Sequence, residues 1–156
     1  FIKSEEAFGF MLLKGVSNFD SLVLTIPNCG EVTCTTNSVI PKINVSLENN
    51  KPVFYINLEV KASTFSLDKN FYTYSFESTS KLIEETLSTK INDICTKLIS
   101  KNLKLNIDVF EFSKILKNTY PEYFKQIENN WQQLLPNINY KVSQDIKLKV
   151  TGKEPV

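Results

Sequence analysis

The stretch Ser78–Leu105, STSKLIEETLSTKINDICTKLISKNLKL, decides how the rest of the chain is read. Ile83, Leu87, Ile91, Ile94 and Leu98 recur every three or four residues, and Leu82, Cys95 and Ile99 widen the same stripe. This spacing predicts one apolar face of a long α-helix. At 1.5 Å rise per residue the run spans roughly 40 Å, the breadth of a small domain. Glu84 and Glu85 sit near its start while Lys97, Lys101 and Lys104 crowd its end, each sign matching the helix dipole. A single-sided helix of this length needs a sheet to cover.

Strands are available on both sides of it. Ser21–Ile26 (SLVLTI) is a short β-rich run stopped by Pro27, Asn28 and Gly30. From Val32 the pattern alternates, with Ile43, Val45 and Leu47 on one side and Lys42, Asn44 and Ser46 on the other. Beyond the turn Glu48–Pro52, Phe54, Ile56, Leu58, Val60 and Ala62 oppose Tyr55, Asn57, Glu59 and Lys61, which predicts a β-hairpin. Pro41 cannot donate to a ladder and belongs at an edge or a bulge. The last run alternates again: Tyr140, Val142, Ile146, Leu148 and Val150 against Lys141, Ser143, Asp145, Lys147 and Lys149. Gln144 interrupts its apolar file. Alternation in every strand predicts an antiparallel or mixed sheet of about four strands, one face under helices and the other toward water or a partner. The fold class is therefore α+β.

Shorter helices fill the remainder. Ser4–Leu13 reads as a helix despite Gly9, and Phe65–Tyr74 as the connection into the long helix. Asp108 and Glu111 have capping-box spacing before Phe112, Ile115 and Leu116. Pro121 suits the first position of another helix, with Phe124, Ile127, Trp131, Leu134 and Leu135 on its apolar face and Pro136 as its stop.

The chain of 156 residues fits one domain able to bury about 70% of its unfolded surface. Its formal charge of +1, with both signs mixed along the chain, does not steer it toward nucleic acid. Every basic residue is Lys, which removes the fork used for bidentate phosphate clamps. There is no His, so Ser-His-Asp and Cys-His arrangements cannot be assembled from this chain. Gly-rich phosphate loops are also absent. Glu84 and Glu85 are neighbours that point about 100° apart on a helix. They form solvated surface rather than a carboxylate pair. Cys29, Cys34 and Cys95 lack C-x-x-C spacing and read as small buried thiols, although Cys29 and Cys34 could pair across a turn. No catalytic, cofactor-binding or metal-binding residue is assigned. No apolar run approaches the ~18–20 residues of a membrane span, and a start at Phe1 without Met suggests a cut inside a longer protein.

The order Asp108-Val-Phe-Glu-Phe112, Tyr120-Pro121, Asn130-Trp131, Leu135-Pro136, the alternating strand and Gly152 resembles the C-terminal domain of the Ger(x)C family. The hairpin from Ile40 through Asn50-Lys-Pro52 to Val60 is similar to that family's central region. Phe1–Gly15 is similar to the acidic segment that opens the domain. Where this chain has Glu111 the family often has Gly, which suggests a side-chain cap in place of a flexible turn. The resemblance implies the C subunit of a bacterial spore nutrient-germinant receptor. It implies a lipoprotein on the outer face of the spore inner membrane, acylated upstream of this fragment. It implies assembly with the receptor's A and B subunits, without catalysis.

Two functional expectations follow. The first is an assembly module that docks receptor subunits through its open sheet face, with Tyr55, Asn57, Glu59, Lys61, Lys141, Lys147 and Lys149 as the candidate surface. The lysine file by itself fits a wet, protected edge, or contact with anionic lipid or an acidic partner. The second is a small-ligand domain that senses germinant in a concave apolar pocket.

Overall fold

The amphipathic run folds as α2 (Phe76–Lys104) and lies against one face of a four-stranded sheet of order β1-β2-β3-β4. The strands are β1 (Ser21–Ile26), β2 (Gly30–Glu48), β3 (Lys51–Leu67) and β4 (Asn139–Val150). The first three pair antiparallel and β4 joins β3 in parallel, so the sheet is mixed and the fold α+β. A parallel neighbour requires a long crossover. Here α2, α3 (Phe112–Thr119), α4 (Pro121–Ile127) and α5 (Trp131–Leu134) supply it. The computed structural model describes residues 2–16, 21–67 and 75–150.

Inside, Ile83, Leu87, Ile91, Cys95 and Ile99 of α2 are buried with Phe54, Ile56, Leu58, Val60 and Ala62 of β3. Each fully buried Leu or Ile contributes about 1.5–3 kcal/mol, so this seam dominates the core. Phe54 stacks on Phe112, ring centroids 4.5 Å apart, which fastens α3 to the sheet. The helix α1 (Ile2–Lys14) adds Phe8, Leu12 and Leu13. Gly9 is there because α1 runs close to α2: a Cβ would lie 2.8 Å from Ile94 Cγ2. Ion pairs Glu5–Lys90 at 2.8 Å and Glu6–Lys101 at 2.6 Å join the same two helices.

Local signals account for most of the boundaries. Ser75 caps α2 by accepting from the Ser78 N–H at 3.1 Å, so the helix begins at Phe76 rather than Ser78. Asn106, at φ 60°, ends it, with Asn106 N donating to Leu103 O and Ile107 N to Asn102 O. Asn49 and Asn50 both have positive φ, as a two-residue hairpin turn requires. Past Thr35, β2 has no β1 partner, and Pro41 sits on that edge segment.

Several sequence expectations need correction. Strand β3 continues through Leu67, so residues 65–67 are not connection, and 68–74 of that expected link lie outside the described residues. The expected helix from Pro121 to Pro136 is broken. A tight turn at Glu128–Asn130 separates α4 from α5, and Pro136 lies inside a second one at Leu135–Asn137. The tighter winding shifts the phase, so Trp131 and Leu135 are buried while Leu134 is exposed. The cysteines need no correction: Cys29, Cys34 and Cys95 are free and buried, as the small-thiol reading has it, and the pairing left open for Cys29 and Cys34 is not formed. Burial pushes the Cys34 and Cys95 thiols up to about 12.

The capping box is half correct. Asp108 accepts from Phe112 N at 2.7 Å and Ser113 N at 3.0 Å, but Glu111 makes no cap and sits at φ 59°, ψ 41°. That is the left-handed region where glycine is unstrained. A side chain in this region costs roughly 1–2 kcal/mol, partly offset by the greater unfolded-state freedom of glycine. Glu111→Gly should therefore raise the thermal midpoint by about 2 °C. Differential scanning calorimetry checks it, and a lowered midpoint would contradict the strain.

Gln144, on the inner side of β4, is met by two polar residues of α2. Its carbonyl accepts from Ser88 Oγ at 2.8 Å and its amide donates to Asn92 Oδ1 at 2.7 Å. All three are half-buried. Removing one partner of such a set costs about 1–3 kcal/mol. Gln144→Ala should lower the urea midpoint accordingly while leaving the m-value unchanged.

Candidate functional site

The side of the sheet away from α2 is built by register. Successive rows across β2, β3 and β4 are Asn44–Tyr55–Lys141, Lys42–Asn57–Ser143, Ile40–Glu59–Asp145 and Ser38–Lys61–Lys147, followed by Ser63 beside Lys149. Side chains two residues apart share a face, and these positions are half-buried or exposed. Tyr55, Asn57, Glu59, Lys61, Lys141, Lys147 and Lys149 therefore all lie on this open face. They do not form one cluster. Lys141 is six residues from Lys147 along β4, about 20 Å.

At one end, Tyr55 donates its hydroxyl to Glu48, which also accepts from Ser46 Oγ at 3.0 Å. Lys141 Nζ lies 5.8 Å from the Tyr55 ring centroid. In the middle, Lys42 pairs with Glu59 at 2.9 Å, and that bond raises the Lys42 pKa. Asn57 donates to Asp145 at 3.2 Å and accepts from Ser143 Oγ at 2.9 Å. At the other end, Lys61, Lys147 and Lys149 are exposed and have no hydrogen-bond or ion-pair partner among the described residues.

The sequence reading missed Ile40, which is 52% exposed in the middle of this face. It lines a groove of about 330 Å³ with Ser38, Glu59, Lys61, Asp145 and Lys147. Extending the Lys42, Asn44, Ser46 file backward by one step would have found it. Its apolar side chain breaks the polar file at that step, which is why the alternation alone did not mark it.

What the arrangement offers is charge and shape. The described clefts are open grooves of about 190 to 570 Å³. Among the described residues no group of three or more His, Cys, Asp or Glu could hold a metal ion. No described helix is long and apolar enough to cross a membrane.

An α+β domain with one helix-covered and one open sheet face is the class of protein these features define. The family model "Spore germination B3/GerAC like, C-terminal" matches residues 1–152. The chain belongs to that family, the Ger(x)C family whose motifs its sequence carries. In fold it is similar to the protein of the solved structure titled "Crystal Structure of the GerBC protein", with a TM-score of 0.80 at 19% identity. That match covers 93% of this chain and 45% of the other, so the chain spans less than half of that protein's length. No curated protein matches the chain.

The hydrogen bond from Tyr55 holds the Glu48 carboxyl below the usual carboxylate range, and the bond from Ser46 adds to it. The same contact raises the Tyr55 pKa. A depressed carboxylate stabilises the fold above its ordinary pKa, and the contribution is lost as pH falls through the folded value. Tyr55→Phe should return the Glu48 titration toward the ordinary range, read by carbon-detected NMR of the side-chain carboxyl.

Proposed function

We propose that this chain is the C-terminal, non-enzymatic domain of a nutrient-germinant receptor C subunit, and that it docks other receptor subunits through its open sheet face. In this reading the full-length protein is a lipoprotein on the outer face of the spore inner membrane. Its anchor lies upstream, and it works with the A and B subunits in germination signalling. Family membership supports the spore-germination role. The observation that carries the docking role is the open face. Its acids are engaged within the chain, while Lys61, Lys147, Lys149 and the exposed Ile40 are left without such partners among the described residues. The alternative, a domain that binds germinant itself, draws less support, because the described clefts are grooves rather than enclosing pockets.

Reversing Lys61, Lys147 and Lys149 to Glu in the full-length protein should lower receptor abundance in spores and slow nutrient germination. The thermal midpoint of the purified protein should change by less than about 1 kcal/mol in equivalent stability, as for other exposed sites. Normal receptor levels and normal germination would remove the docking role. Heat on titration of the purified full-length protein with amino acids, sugars or nucleosides would favour the ligand-binding reading instead.

A further inference from the structure

The open face sets like charges side by side. The parallel register places Glu59 directly opposite Asp145 and Lys61 directly opposite Lys147. Like charges facing each other on adjacent strands destabilise a sheet. The acidic row is relieved from within, Glu59 by Lys42 at 2.9 Å and Asp145 by the Asn57 amide at 3.2 Å. The basic row is not. Lys61 and Lys147, with Lys149 one step further along β4, have no such relief among the described residues. Ile40, opposite Glu59, borders the groove that Lys61 and Lys147 also line.

Resting on the reading that this face docks a receptor subunit, we propose that its occupant is an acidic segment of a partner protein. The segment's carboxylates meet Lys61, Lys147 and Lys149, and an apolar side chain of it covers Ile40. A carboxylate between two opposed ammonium groups replaces a repulsion with two charge-assisted hydrogen bonds. Complementarity of this kind selects partners and sets their register. An anionic lipid surface fits less well. The Glu59–Asp145 row lies about 7 Å along the strands from the lysine row, and a uniformly negative plane would press on both. A second copy of this chain fits less well too, since the acids it would offer from the same face are already engaged.

Carbodiimide coupling on assembled receptor in spore membranes tests this, because the reagent joins an ammonium to a carboxylate only where the two are in contact. The expected result is amide links from Lys61, Lys147 or Lys149 to Asp or Glu of a different polypeptide, lost in the K61R/K147R/K149R variant while receptor abundance holds. Ile40→Asp should weaken the same links. No link, or links only to Glu59 or Asp145 of the same or a second copy, would overturn the proposal. So would binding of purified, unacylated full-length protein to phosphatidylglycerol vesicles that the K61Q/K147Q/K149Q variant abolishes. Failure of docking itself reads differently: charge reversal at the three lysines would then leave receptor abundance unchanged. Reduced abundance without any amide link would keep the docking face and discard the acidic partner.

Discussion

The contact between the apolar stripe of α2 and the inner face of β3 is the constraint on which everything else in this domain rests. Among the described residues, β3 is the one strand paired along both edges over much of its length, antiparallel to β2 and parallel to β4. Its inward side chains from Phe54 to Ala62 are buried, and the α2 residues buried with them come from successive turns. Once the helix occupies that side, the other side of β3 has to face outward, because successive residues point to opposite faces. The polarity of the candidate surface is thus a consequence of where the core lies.

How much of this could be read in advance depended on whether the signal was local. The α2 stripe, the Asn49-Asn50 turn and the alternation of β3 and β4 each need only neighbouring residues, so they were legible. The bulges were not. Asn37 in β2 and Phe65 in β3 are each the extra residue in a pairing that otherwise runs one to one, and nothing in their identity marks them. Glu111 was misread because its side chain suggests capping. The backbone instead adopts a glycine-like conformation, and Asp108 holds the turn. The break between α4 and α5 escaped for a related reason: the spacing of Phe124, Ile127 and Trp131 fits a continuous helix as well as an interrupted one.

The candidate surface was legible as a set of outward residues but not as an arrangement. Alternation shows that Lys61 and Lys147 both point outward. Only the parallel register shows that they face one another, and pairing between strands separated by four helices leaves no local trace. The same holds for the acids. Lys42 reaches diagonally to Glu59, which sits opposite Ile40, and Asn57 reaches diagonally to Asp145. Among the described residues these contacts leave Lys61, Lys147 and Lys149 as the unneutralised part of the face.

That register is not the one surface charge would choose. Sliding β4 by two residues keeps every side chain on its own face, and in one direction it would bring Asp145 opposite Lys61. The inner face opposes the slide. Gln144 is held by Ser88 and Asn92, and the Tyr140 hydroxyl donates to Thr96 O at 3.4 Å, all from α2. A slide would break these bonds and set the Gln144 amide against apolar neighbours, and a half-buried amide without partners costs more than an exposed ion pair returns. The polar interruption in the apolar file therefore acts as a register pin, a use to which partly buried polar groups are well suited. By holding β4 in place against the preference of its own surface, it keeps Lys61 and Lys147 abreast and free to meet charge from outside the domain.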